Sequence, residues 1–107
     1  MADYLQVTTT AGSEEEAEQI SAALVERRLA ACVQVIGPIA SRYRWQGAVG
    51  RSTEWMCVAK TSAARYAELE AAIRELHSYD EPEIVATPIV AGSEGYLAWI
   101  SHSLGDD

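Results

Sequence analysis

Phenylalanine and asparagine are absent from this chain of 107 residues; lysine occurs once, cysteine twice and proline three times. Two cysteines, Cys32 and Cys57, are too few for a disulfide framework. Neither a Cys-x-x-Cys pair nor a Cys/His cluster at zinc spacing occurs, so no structural zinc is expected. No apolar run approaches the roughly 20 residues of a membrane span. The opening Met1-Ala2-Asp3-Tyr4 lacks a basic region followed by an apolar stretch, which makes a cytoplasmic protein the expectation. Positive charge is scarce as well: eight basic residues against 16 acidic ones give a formal charge of −8. A chain of that sign is poorly suited to DNA, RNA or an anionic membrane, where counterion release rewards cations. Small molecules, cations and protein partners remain.

What is present is ordinary for a folded chain, with 49% apolar and 22% charged residues and length for one domain spanning 1–107. Its eight aromatics are all Trp or Tyr, so each carries a polar handle and suits a surface that is part buried and part wet. Tyr4 to Thr10 is rich in strand formers. Ser13 with Glu16 three residues on forms a capping box, and Glu14, Glu15 and Glu16 complement the positive end of the helix it opens. Ala17, Ile20, Ala23 and Leu24 make that helix's buried stripe, with Arg27 and Arg28 expected in its last turn.

Ala31 to Trp45 and Ala48 to Thr61 read as two long strands joined by a Gln46-Gly47 turn. Thr61 or Ser62 can cap a second helix carrying Tyr66, Leu69, Ile73 and Leu76, which the segment His77 to Pro82 breaks. Glu83 to Val90 reads as a strand covered on both sides, although Pro88 argues for an edge or a bulge. Ser93 caps a last helix with Leu97, Ile100 and Leu104 on one face. The order βαββαβ plus a C-terminal helix predicts an α+β ferredoxin-like sandwich with a long hairpin between its second and third strands.

Both faces of that hairpin are apolar. With Trp45 opposite Ala48, counting back pairs Val35 with Val58 and Ile36 with Cys57. Val33, Val35 and Val58 then share one face, and Ile36, Pro38, Trp55 and Cys57 the other. A bulge at Gly37-Pro38 would shift this alternation by one residue. Helices cover one face of such a sheet, so the other calls for a partner; burying roughly 800 Å² per subunit at ~25 cal/mol/Å² is worth about 20 kcal/mol before entropic costs. An oligomer with strand pairing between subunits is expected, the alternative being a C-terminal helix folded back over the open face. The same register separates Cys32 from Cys57 by roughly 13 Å, too far for a disulfide.

The series Leu29-Ala30-Ala31-Cys32-Val33, Ser41-Arg42-Tyr43-Arg44-Trp45-Gln46-Gly47, Glu54, Lys60-Thr61, His77-Ser78-Tyr79-Asp80-Glu81-Pro82-Glu83-Ile84, Pro88 and Tyr96-Leu97-Ala98-Trp99 resembles the CutA family of divalent-cation tolerance proteins over nearly the whole chain. That resemblance implies a non-enzymatic homotrimer built by strand exchange, similar in architecture to PII-type signalling trimers and tied to metal-ion, notably copper, tolerance. In members linked to copper, the ligands are a first-strand Cys and two adjacent His; the matching positions here are Thr9, Leu76 and His77. Two of the three ligand types are missing, and Thr is a poor donor to a soft or borderline metal.

The same resemblance places Glu54, Lys60, Tyr79 and Glu83 near a cleft between subunits. There they would form a polar ligand site, with Lys60 contacting an anion and Glu54 accepting, or else an ion pair that specifies the partner. Cys32 is either a soft-metal ligand or a small buried hydrophobe, and His77 either a ligand or a group set against the helix dipole. Tyr43, Trp45, Trp55 and Trp99 are expected interface anchors. Arg42, Arg44 and Arg51 make the hairpin tip basic, able to grip an anion or a neighbour's carboxylates. No cofactor is expected to be required; a divalent cation such as Cu²⁺ is expected to associate weakly.

An acylphosphatase-like hydrolase is the competing reading. It needs an anion-cradling loop with Arg and Asn after the first strand, where this chain has Thr10-Ala11-Gly12-Ser13. An RNA-recognition module would need an aromatic signature on its third strand and the opposite charge.

Overall fold

A computed structural model of the chain describes residues 3–106. β1 (Tyr4–Ala11) is built from β-branched Val7 and Thr8-Thr9-Thr10. Ser13 stops it and starts α1 (Glu14–Glu26): its Oγ accepts from the Glu16 N–H at 3.1 Å, and three glutamates occupy the first turn. Contrary to expectation, α1 ends before Arg27 and Arg28. Arg28 takes a positive φ of 57° that turns the chain, and the two side chains reach outward, Arg27 to Glu75 at 3.6 Å and Arg28 to the Ser103 carbonyl at 3.2 Å.

β2 (Cys32–Trp45) and β3 (Ala48–Ser62) form the long hairpin across a turn with positive φ at both Gln46 and Gly47. Neither Thr61 nor Ser62 caps the next helix by side chain. Thr61 Oγ1 donates instead to the Leu29 carbonyl at 2.6 Å, and a 3-10 turn over Ala63–Arg65 leads into α2 (Tyr66–Leu76). β4 (Ile84–Pro88) is shorter than the expected Glu83 to Val90. α3 (Glu94–Leu104) is capped by Ser93 Oγ and closed by Gly105 in the left-handed region, with the paired bonds Gly105 N to His102 O and Asp106 N to Ser101 O of a Schellman motif. None of the described helices is long and apolar enough to cross a membrane.

The sheet order is β2-β3-β1-β4, antiparallel throughout, which is the ferredoxin-like arrangement. β4 is therefore an edge strand, as Pro88 allows, and Val85 on it is 52% exposed, so it is not covered on both sides. α1 and α2 cover one sheet face, where Ile20, Leu24, Leu69 and Ile73 meet Val7, Ala11, Cys57 and Ala59. α3 packs on part of the other face: Ile100 and Leu104 lie against Ala31 and Tyr4, and the Tyr4 and Ser101 hydroxyls bond at 2.6 Å.

The hairpin register corrects the expected pairing. Trp45 does face Ala48, but between Ile39↔Glu54 and Ile36↔Met56 the two residues Gly37 and Pro38 oppose the single Trp55. This bulge shifts every pair beyond it by one, so Val35 pairs with Cys57 rather than Val58. Val33, Val35, Cys57 and Ala59 thus share the helix-covered face, while Ile36, Met56 and Val58 share the open one. Gly37 is needed here because the Trp55 indole lies where any β-carbon would go. The same shift brings Cys32 and Cys57 from the expected four ladder positions apart to three, still roughly 10 Å, and both thiols are free.

β1 pairs with β3 only as far as Trp55, so residues 39–54 continue as a two-stranded arm with no third strand on either edge. The molecule extends 46 × 25 × 22 Å in consequence.

Candidate functional site

At the root of the arm, the loop that follows α2 turns back onto the end of β1. His77 drives that turn. Its side chain is fully buried, and its Nδ1 accepts from the Tyr79 N–H at 3.0 Å, which assigns the ring proton to Nε2, donated to the Thr10 carbonyl at 2.6 Å. Glu16 fixes the same loop from α1, accepting from the Ser78 N–H at 2.8 Å and the Ser78 hydroxyl at 3.1 Å.

Tyr79 is thereby aimed at β3. Its ring leans on His77 with centroids 4.7 Å apart, and its hydroxyl donates to Glu54 Oε2 at 2.9 Å. A β-carbon at Gly12 would stand 3.0 Å from that hydroxyl, so the smallness of this residue admits the approach. Desolvation, and then the bond to Glu54, push the Tyr79 phenol up to about 12. Glu54 itself is only 8% exposed. Above the pair opens a cleft of about 830 Å³ between the arm and the loop, bordered by Thr10, Ser41, Tyr43, Ser52 and Glu83. On its arm side Tyr43 hydrogen-bonds Ser52.

Of the four residues expected around a cleft, one chain brings Glu54, Tyr79 and Glu83 together and leaves Lys60 apart. Lys60 lies six residues along β3 from Glu54, roughly 20 Å, and donates to Gln34 Oε1 at 2.6 Å. Thr10, Glu16 and Ser52 were not singled out by sequence reasoning. Glu16 was legible only as half of a capping box, and its real partner lies 62 residues on.

The metal candidates do not converge. Cys32 sits at the α3 end of the open face, its Sγ 3.6 Å from the Tyr96 hydroxyl, and in the ladder it lies level with Gln6, four residues of β1 from Thr10 and His77. That contact raises the Tyr96 pKa, with some desolvation added. At the positions matching the copper set, Leu76 offers no donor atom, His77 has both ring nitrogens committed to backbone, and Thr9 offers a buried hydroxyl with no hydrogen-bond partner. These residues do not fit a copper ion. Among the described residues no group of three or more His, Cys, Asp and Glu side chains could hold a metal.

Tyr43, Trp45 and Trp99 are exposed, as anchors for a neighbour must be. Trp55 is half-buried over Gly37 and packs on the core, a largely internal role. The cleft can therefore bind through hydroxyls, aromatic faces and carboxylates.

Comparison with known proteins agrees over nearly the full length. The family described as CutA1 divalent ion tolerance protein matches residues 5–103. Divalent-cation tolerance protein CutA of Thermus thermophilus is 43% identical over 99 residues, which are 92% of this chain and 96% of that one. The crystal structure of CutA from Xylella fastidiosa has a TM-score of 0.93 at 34% identity, covering 96% of this chain and 99% of that chain. The periplasmic divalent cation tolerance protein CutA from Archaeoglobus fulgidus has a TM-score of 0.92 at 38% identity, covering 94% and 98%.

Proposed function

We propose a function from one premise: the chain belongs to the CutA1 divalent ion tolerance family. It acts as a non-catalytic homotrimer of PII-like architecture in the response to divalent metal ions, copper among them, and the cleft at Tyr79 is its site for a small polar ligand. The observation that carries assembly is the apolar surface one chain leaves open. Ile36 on the open face and Trp45 on the arm are 51% and 53% exposed, and Tyr96 and Trp99 present a ring pair on α3 with centroids 5.4 Å apart. α3 folds over part of the open face, so the alternative of internal cover is met only at the Tyr4 end.

Lys60 enters the ligand site from a neighbouring subunit as the anion contact, since in its own chain it stands too far from Glu54. Metal association is weak and driven mainly by charge: three copies of a −8 chain attract divalent cations with no complete coordination set. Cys32 remains the soft donor of choice, and His77 joins it only by giving up a backbone bond. A cytoplasmic location belongs to the same proposal, two free thiols suiting a reducing compartment. The acylphosphatase-like alternative gains no support, because neither the Thr10-Ala11-Gly12-Ser13 segment nor His77 supplies the required groups.

Light scattering at low micromolar concentration should give three times the subunit mass; a stable 11.6 kDa monomer overturns the assembly. Calorimetric titration with Cu²⁺ and Zn²⁺ should show weak binding, reduced in Cys32→Ser and unchanged in His77→Ala. Tight stoichiometric binding lost in His77→Ala would refute the charge-driven account.

A further inference from the structure

Glu54 is a carboxylate held away from water with part of its bonding capacity unused. It is 8% exposed, its one partner among the described residues is the Tyr79 hydroxyl on Oε2, and no lysine or arginine pairs with it. A buried charge is costly unless a counter-charge meets it. Arg42 and Arg44 border the same cleft, but neither supplies that charge. Strand alternation sends both to the face of the arm opposite the one that Glu54 shares with Ser41, Tyr43 and Ser52.

The walls beside this carboxylate are aromatic. Tyr43 stands opposite Gly50 in the ladder, and a β-carbon there would come 2.9 Å from its Cε2, so the ring lies across bare backbone while its hydroxyl bonds Ser52. Tyr79 faces it from the loop, its ring braced on His77. At the rim, Asp80 and Glu83 have no ion pair, whereas Glu81 is held by Arg74 at 3.5 Å. The field inside is negative: desolvation and the bond to Glu54 raise the Tyr79 phenol most, and the charges of Glu54 and Glu16 raise it further.

We propose that the ligand of this cleft carries a protonated primary amine, seated on Glu54 between the Tyr43 and Tyr79 rings, a reading that rests on the cleft being a ligand site and names the group it selects. An ammonium brings three N–H donors and a compact charge. One donor meets the carboxylate in a charge-assisted bond, and the hydroxyls of Thr10 and Ser41 on the lining are acceptors for the others. Aromatic faces add attraction for the same charge. A divalent metal fits poorly, since Ca²⁺ and Mg²⁺ take six or more oxygens and no group of three His, Cys, Asp and Glu side chains among the described residues could hold an ion. A simple anion would meet Glu54 head on. Two kinds of amine satisfy this site: a diamine, whose second charge reaches Asp80 and Glu83, and an amino acid, whose carboxylate reaches the partner subunit's Lys60.

The test is calorimetric titration of the full chain with 1,4-diaminobutane, 4-aminobutanoate, succinate and 1,4-butanediol, which share a carbon skeleton and differ in their end groups. Far-UV circular dichroism and sedimentation equilibrium verify folding and association of each variant. At least one of the two amines should bind wild type, and Glu54→Gln should weaken it by about tenfold or more, as loss of a buried charge partner does. Tyr43→Leu keeps the carboxylate and removes the ring, and should weaken binding about two- to fivefold. Glu68→Gln, at an exposed carboxylate on α2, should leave it unchanged. Diaminobutane binding lost in Asp80→Asn/Glu83→Gln supports the diamine, and aminobutanoate binding lost in Lys60→Gln supports the amino acid. Equal weakening in Glu54→Gln and Glu68→Gln reduces the effect to general charge attraction and overturns the assignment. Succinate or butanediol bound as tightly as either amine overturns it while the cleft stands as a ligand site. Amine binding that emerges only in Lys60→Gln shows that the partner subunit's Lys60 already neutralises Glu54, and overturns it as well. Failure of all four probes in both wild type and Lys60→Gln overturns the ligand-site reading with it.

Discussion

Tyr79→Phe removes one oxygen atom and one hydrogen bond, and the structure fixes what that costs. The phenol donates to Glu54 at 2.9 Å, and Glu54 is 8% exposed, so water replaces the lost donor poorly. A hydrogen bond to a charged partner contributes about 1.5–3 kcal/mol. At ~2.1 cal/mol/K of unfolding entropy per residue, a chain of this length loses roughly 7–13 °C in Tm. Opening of the site to the cleft favours the lower end. Glu54→Gln keeps an acceptor and should cost less, and the double variant should cost less than the two single effects added, because both remove the same bond. Melts must be compared at equal protein concentration, since association shifts Tm by mass action.

Alkaline titration gives an independent readout of the same bond. Folding raises the Tyr79 phenol from 10 toward about 12, so its contribution is complete below pH 10 and is lost as pH climbs through the folded value. Ultraviolet titration of tyrosinate should show a late-ionising phenol in wild type, absent in Tyr79→Phe and moved down in Glu54→Gln. A Tyr79→Phe melt within about 2 °C of wild type, together with unaltered ionisation in Glu54→Gln, would refute the coupling of these two side chains.

Three further perturbations probe the frame. Gly37→Ala pushes a methyl into the Trp55 indole and should cost about 1–3 kcal/mol in chemical denaturation; a neutral result would mean that the indole is not held there. A thiol reagent near pH 8 should label Cys32 first and Cys57 only on unfolding, because Cys57 is 1% exposed and burial raises its pKa; equal rates would contradict that burial. Ser13→Ala removes the acceptor for the Glu16 N–H and should lower stability by about 0.5–2 kcal/mol, with Ser13→Asp restoring most of it.

Local chemistry made much of the fold legible in the sequence. Ser13 and Ser93 cap the helices they were expected to cap, and Gln46-Gly47 makes the turn, because each choice depends on atoms within four residues. The hairpin alternation failed at Gly37-Pro38 for the opposite reason: one surplus residue changes phase, and composition does not say which residue is surplus. The cleft was only half visible. Only the family resemblance pointed to Tyr79 and Glu83, and His77 resembled a free ligand until its two bonds to backbone, one of them 67 residues away, were located. Thr61 looked like a cap and became a donor to a carbonyl 32 residues upstream. Contacts at such range are set by the way layers stack and leave little trace in local patterning.

The phase change at Gly37-Pro38 also separates two design problems that would otherwise share a strand. On the core side, every residue of the hairpin answers to the helices above it; on the far side, only to whatever it reaches. Adding two residues to each strand past Pro38 would lengthen the span by roughly 7 Å and preserve all inward-facing positions. Reach can thus vary between related proteins while their interiors stay the same.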